Sequence, residues 1–180
     1  GYWVKKLYSE ADDALYIAAI THDVERAFQD GRIPPSPETK GAKWDDPLYD
    51  KWHSKRSAKY VAEFLEKEGA SSELIEKVAK LVSHHEHGGW YEADILRDAD
   101  SLSFLEVNVD MFISLIPEKL SKNEVREKFD YMFNRISGKK AKKRASGQFL
   151  SSLRCSKIKK LSKRGVLMGI SGNGIIIVVR

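Results

Sequence analysis

Four of the five prolines fall between residues 30 and 47, in DGRIPPSPETKGAKWDDP, and the fifth is Pro117. Proline locks φ and removes a backbone donor, so it interrupts a helix wherever it stands in the interior. The stretch 30–47 therefore reads as a loop. It is long for a compact domain, which makes it a candidate lid or specificity loop. On either side of it, apolar residues recur at helical spacing, so the expected fold class is all-α.

The expected helices follow from that spacing and from end signals. Residues 3–27 carry Leu7, Ala11, Leu15, Ala18 and Ala19 on one face and predict a single long amphipathic helix. KWHSKRSAKYVAEFLEKEG (51–69) predicts a second helix closed by Gly69, and SSELIEKVAKLVSHH (71–85) a third, with serine at its start and acids in its first turn. YEADILRDADSLSFLEV (91–107) predicts a fourth, after the GGW break. Pro117 ends the next helical stretch, and Ser121 with Glu124 has the spacing of a capping box. The final GVLMGISGNGIIIVVR reads as two short apolar runs around a Gly-Asn-Gly turn.

Charge divides the chain. The net +5 conceals 26 acidic residues, all within 1–130, against 18 Lys and Arg there. Residues 131–180 hold 13 Lys and Arg and no acid. The division expected is a helical domain over 1–137 and a basic extension over 138–180. That extension suits phosphate backbones of nucleic acid or an acidic partner. The alternative is a solvated basic helix that complements the acidic body, including in a homo-oligomer. No apolar run reaches the ~20 residues that span a bilayer. Cys155 is the one cysteine and cannot form an internal disulfide, and no signal peptide follows Gly1. The expected compartment is the cytoplasm.

Ionisable groups on apolar faces are costly unless something pairs with them. His22 extends the stripe of Leu15, Ala18 and Ala19, and Asp23 follows Tyr16, Ala19 and Ile20. His85 continues Val78, Leu81 and Val82, and Asp100 lies between Ala93–Leu96 and Phe104–Val107. His84 follows Lys77 and Lys80 on a wetter face, and Asp98 sits on a mixed one. His53 heads its helix, with Arg56 one turn on. Each alone reads as well as a hydrogen-bonded core residue or a surface acid. As a set from three helices they point to a divalent metal. Imidazole with carboxylate suits Zn, Mn, Fe, Co or Ni rather than calcium.

THDVER resembles the doublet of the HD-domain superfamily of metal-dependent phosphohydrolases, and ILRDADSL resembles that family's distal D-A-D-x-L segment. HSKRSAKYVAEFL and LVSHH look like its intervening histidine-bearing helices. HHEHGGWY is loosely similar to its cyclic-dinucleotide phosphodiesterase branch. The likeness covers residues 3–107. It implies a helical bundle in which His22, Asp23 and Asp100 hold a first metal. Asp23 would bridge to a second held by His53, His85 and His84. Mg joins the list of metals, with one or two ions per chain. One departure is that the family's ligand histidine before the doublet has no counterpart in residues 1–21.

The activity implied is hydrolysis of a phosphoester on a nucleotide-like substrate. Asp23 is central to it, and Arg56 is the expected phosphate clamp, ahead of Lys55 and Arg97. Glu25 reads either as a group that orients water or acts as a general base, or as a solvated helix residue. Trp44, Trp52 and Trp90 read either as stacking surfaces for a base or as core residues. Two other classes fit the same sequence: an HD-fold di-iron oxygenase, which needs the same ligands, and a non-catalytic module that binds nucleic acid or a partner through 138–180.

Overall fold

The computed structural model of the protein describes residues 1–28, 46–154, 166–171 and 174–179. The expected loop at 30–47, including Trp44, lies outside the described residues apart from its last two positions, and so does Cys155. Among the described residues up to 154 the fold is all-α, with helices α1 (Tyr2–Leu7), α2 (Asp13–Thr21), a 3-10 helix (Val24–Phe28), α3 (Pro47–Lys67), α4 (Ser72–Ser83), α5 (Tyr91–Val107), α6 (Val109–Ser114), α7 (Lys122–Asn134) and α8 (Lys139–Arg154). An antiparallel hairpin follows, β1 (Val166–Ser171) with β2 (Gly174–Val179), in a register that sets Val166 opposite Val179 and Ser171 opposite Gly174. The two apolar runs at the C-terminal end thus pair with each other. No described helix is long and apolar enough to cross a membrane.

The chain divides into two compact units, Gly1–Ala99 and Asp100–Arg180. In the first, α3 and α2 pack on α4, and the 3-10 helix lies against α3. Its core holds Val4, Leu15, Ala18, Val61, Val78, Leu81, Val82 and Leu96. The capping expected for α4 is present, with Ser71 Oγ accepting from Leu74 N at 3.3 Å. Pro47 opens α3 in its first turn, where no donor is needed, and Asp46 Oδ1 accepts from Leu48 N at 2.8 Å.

One long helix over 3–27 does not form. Tyr8 takes an extended conformation after α1, and Asp12 caps a new helix by accepting from Leu15 N at 3.0 Å. An aspartate with a free N–H three residues on favours a start at that point. At the other end, Thr21 Oγ1 donates to the Ile17 carbonyl at 2.7 Å, and α2 stops there. A threonine hydroxyl on the carbonyl four residues back competes with the regular ladder. His22 and Asp23 therefore sit in a turn between helices rather than on an extended stripe. Ile20, counted above on the apolar face of Asp23, is exposed.

The second unit is built around an aromatic cluster in which Phe104, Phe112 and Phe129 have ring centroids 5.2–6.0 Å apart. Val125, Met132, Phe133 and Ile136 extend it, and α8 adds the buried Ala141 and Ala145. The capping box at α7 forms as expected, with Glu124 N to Ser121 Oγ at 3.2 Å and Ser121 N to Glu124 Oε2 at 2.8 Å. β2 runs against α7 and β1 against α8.

Candidate metal centre

The centre is assembled from three local features of the first unit. The turn after α2 supplies Asp23, the middle of α3 supplies His53, and the residues just past α4 supply His85. One ligand atom from each lies within 4.8 Å of the others. His53 and His85 are completely buried, whereas the Asp23 side chain is 43% exposed, so the group opens toward solvent on the aspartate side.

Each imidazole is oriented from behind. His53 Nδ1 is 2.7 Å from Oε1 of Glu25, a carboxylate that is itself buried, and its Nε2 faces Asp23 Oδ1 at 2.8 Å. His85 Nδ1–H donates to the Val82 carbonyl at 2.8 Å, one of the last carbonyls of α4. That bond directs its Nε2 to Asp23 Oδ1 at 3.7 Å and Glu86 Oε1 at 3.3 Å. A histidine bonded through one nitrogen to a carboxylate or carbonyl, with the other nitrogen turned inward, is how proteins hold metal-ligating imidazoles. Bonds of ~2.1 Å to one cation place such ligand atoms about 3–4 Å apart; here Asp23 Oδ1 lies 3.7 Å from His85 Nε2 and, in a direct hydrogen bond, 2.8 Å from His53 Nε2, with all three ligand atoms within 4.8 Å of one another. Two imidazoles and a carboxylate, with a second carboxylate at Glu86, form a set able to hold a divalent transition metal.

Electrostatics bind the group together. Burial favours the protonated form of Asp23, but the hydrogen bond from His53 and the positive charge of His22 and Arg26 override it and hold its carboxyl well below the usual range. Burial likewise opposes charge on His53, yet the hydrogen bonds and charge of Asp23 and Glu25 push its pKa up. Arg26 Nε lies 3.3 Å from Asp23 Oδ2 on the open side.

The structure sorts the other residues singled out by sequence. His22 stands at the edge of the group, its ring edge-on to His85 at 4.9 Å. His84 turns away: its Nδ1 bonds the Lys80 carbonyl at 2.9 Å and its ring meets Trp90 at 5.0 Å. The two histidines stand in the turn just past α4, and their Nδ1 atoms bond different carbonyls, Lys80 for His84 and Val82 for His85, so the rings leave the helix end in different directions. His53 lies two turns into α3 rather than at its head, because the helix begins at Pro47. Asp98 is the buried acid of its pair, 3.7 Å from Arg97, while Asp100 Oδ2 accepts from Arg135 at 3.0 Å. Arg56 lies behind Glu25, its Nε 3.7 Å from Oε2, with its guanidinium over Trp52 and its Nη2 donating to the Tyr60 hydroxyl.

Glu25 is not a solvated helix residue. The 3-10 turn brings it under α3, where its backbone N–H also reaches Ser57 Oγ at 3.4 Å. Glu86 was not anticipated; its place between His85 and His87 in HHEH was the available signal.

These features define an all-α protein with a buried histidine–carboxylate centre. The chain belongs to the family described as "Domain of unknown function (DUF4202)", whose model matches residues 1–157. No curated protein and no solved structure matches it.

Proposed function

We propose that this protein is a metal-dependent phosphohydrolase of the HD-domain type, cleaving a phosphoester of a nucleotide-like substrate. The observation that carries the reading is the convergence of Asp23, His53 and His85, three of the residues implicated by the THDVER, HSKRSAKYVAEFL and LVSHH resemblances. The reading commits to one cation on these three ligands, drawn from Mn, Fe, Co, Ni, Mg or Zn. A divalent metal there supplies Lewis acidity, making water a stronger nucleophile and neutralising phosphoryl charge.

The chain's own groups do the rest. Glu25 holds His53 in the tautomer that points Nε2 at Asp23, and the Val82 carbonyl does the same for His85. Arg26, half-exposed beside Asp23, is the cation placed to receive the phosphoryl oxygens. Arg56, nearly buried behind Glu25, is a positioning residue in this scheme rather than the clamp. Glu86 accepts the proton of the attacking water as its oxygen bonds to phosphorus, and returns it to the ester oxygen, which takes the electron pair of the breaking P–O bond and leaves as the alcohol.

The test is phosphate release from a panel of nucleoside mono-, di- and cyclic phosphates with Mn, Co, Ni or Mg, alongside elemental analysis of the purified chain. Hydrolysis lost in Asp23→Asn and His53→Ala supports the reading. No ester cleaved with any metal, together with no bound metal, ends it. Iron in near-stoichiometric amount with an oxo-bridged absorption band and no hydrolysis selects the oxygenase alternative.

A further inference from the structure

Tyr49 stands one turn before His53 on α3, where its backbone N–H donates to the Asp46 cap at 3.3 Å. Side chains four apart on a helix project side by side. The rings of Tyr49 and His53 do so, parallel to within 6° and with centroids 6.1 Å apart. Trp52 braces the same tyrosine, its ring centroid 5.9 Å away. The phenol ring is therefore fixed beside a buried ligand of the metal centre, one helical turn toward the start of α3.

Its hydroxyl has nothing to hold. Tyr49 is half-buried, and a tyrosine so placed usually finds a partner for its O–H. Tyr60, further along the same helix, has one: its hydroxyl accepts from Arg56 Nη2 at 3.1 Å. Among the described residues no group bonds the hydroxyl of Tyr49. After burial, the strongest influence on that hydroxyl is the charge of Arg26, followed by Glu25, Asp23 and Asp50. Arg26 and Asp23 are the half-exposed pair, 3.3 Å apart, on the side where the centre opens to solvent. Arg26 is already engaged there with a carboxylate, so a neutral donor alongside it adds capacity for an oxyanion without adding charge. Fixed donors of this kind stabilise negative charge without having to reorient as it develops.

We propose that Tyr49 is a phosphoryl-binding residue of this centre, its hydroxyl donating a hydrogen bond to a non-bridging oxygen of the phosphate that Arg26 receives. The inference rests on the reading of the centre as a phosphoester site, but it concerns binding rather than cleavage. No proton changes hands: the phenol O–H bond stays intact, and the hydrogen bond strengthens as charge gathers on the phosphoryl oxygens.

The test is calorimetric titration of inorganic phosphate into the full chain equilibrated with Mn or Co, alongside hydrolysis of the nucleotide panel. Tyr49→Phe keeps the ring beside His53 and removes only the hydroxyl. The expected result is phosphate binding by the parent chain that Tyr49→Phe weakens about tenfold, the scale of one hydrogen bond to a charged group, with metal content and melting temperature unchanged. Tyr91→Phe, an exposed ring set against Tyr8, leaves phosphate affinity as it was. Four results overturn the proposal: no phosphate bound by the parent, equal affinity in the parent and Tyr49→Phe, equal loss in both variants, or a loss of bound metal in Tyr49→Phe that matches the loss of phosphate, which assigns the tyrosine to the support of His53. The hydrolytic reading is judged separately. Phosphate binding that depends on Tyr49, with no ester cleaved, keeps this contact and ends that reading. Esters cleaved equally well by the parent and Tyr49→Phe, with equal phosphate affinity, do the reverse.

Discussion

Replacing Glu25 by glutamine keeps an oxygen within reach of His53 Nδ1–H and removes only the charge, whereas alanine removes both. The carboxylate is buried and lies 2.7 Å from the imidazole, with Arg56 at 3.7 Å on its other oxygen. Hydrogen bonds to a charged group in such a setting contribute about 1.5–3 kcal/mol. Partners that orient metal ligands are worth 10- to 100-fold in metal affinity, which converts to about 1.4–2.7 kcal/mol. Glu25→Gln is therefore expected to weaken Zn or Co binding about tenfold and Glu25→Ala about a hundredfold. Competition against a chelating dye measures both, and thermal unfolding in chelator measures the stability of the metal-free forms separately. The metal-free variants should also melt lower, with alanine the worse because it leaves His53 Nδ1–H without its acceptor and removes the carboxylate that Arg56 faces at 3.7 Å. If both variants take up metal as tightly as the parent chain, the orienting role assigned to Glu25 is wrong.

Three further outcomes are expected. Asp12 both caps α2 and meets Lys77 Nζ at 2.6 Å; the Lys77 hydrogen bond outweighs burial and, with the Leu15 N–H, keeps its carboxyl below the usual range. A lowered carboxyl stabilises the fold above the pH at which the unfolded group titrates, near ~4, and that contribution is lost as pH falls through the folded value. Asp12→Asn keeps the cap, so its melting temperature should sit slightly below the parent's at pH 7, by less than ~1 kcal/mol at this exposed site, with the gap closing below pH ~4; Asp12→Ala loses about 1 kcal/mol more. Phe129→Ala empties the middle of the aromatic cluster and should cost about 3–5 kcal/mol in chemical denaturation, while Phe64→Ala, on the surface, should stay within about 0.5 kcal/mol. Gly88 holds φ +70°, and a Cβ there would run into the Asp94 carboxylate and Arg97, so Gly88→Ala should cost about 1–3 kcal/mol; adding Asp94→Ala should cost less than the sum of the two changes, because it removes one side of the clash.

Local chemistry was readable where the rule involved was local. The Ser71 cap, the Ser121–Glu124 box and the paired apolar runs at the end each need only a few neighbouring residues. His85 was placed correctly because α4 runs unbroken from Val78 to its doorstep, so helical phase carried over. The same extrapolation failed across Thr21, since phase has no meaning after a helix stops, and Asp23 was given a more apolar neighbourhood than it has. It failed again at Asp98 and Asp100, where the apolar pattern offered two readings and packing buried the acid on the mixed face.

By itself the amino-acid order determined an all-α body, the points where several helices begin, and a shortlist of histidines and aspartates. These depend on backbone geometry, which repeats every 3.6 residues and is felt within one turn. Only the tertiary structure decided that Asp23, His53 and His85 share one small volume, that Glu25 stands buried behind His53, and that His84 does not join them. Those outcomes depend on how the turn after α2 meets α3 and α4. Contacts between side chains 28 or more positions apart in the chain are set by packing, and no periodicity along the sequence encodes them.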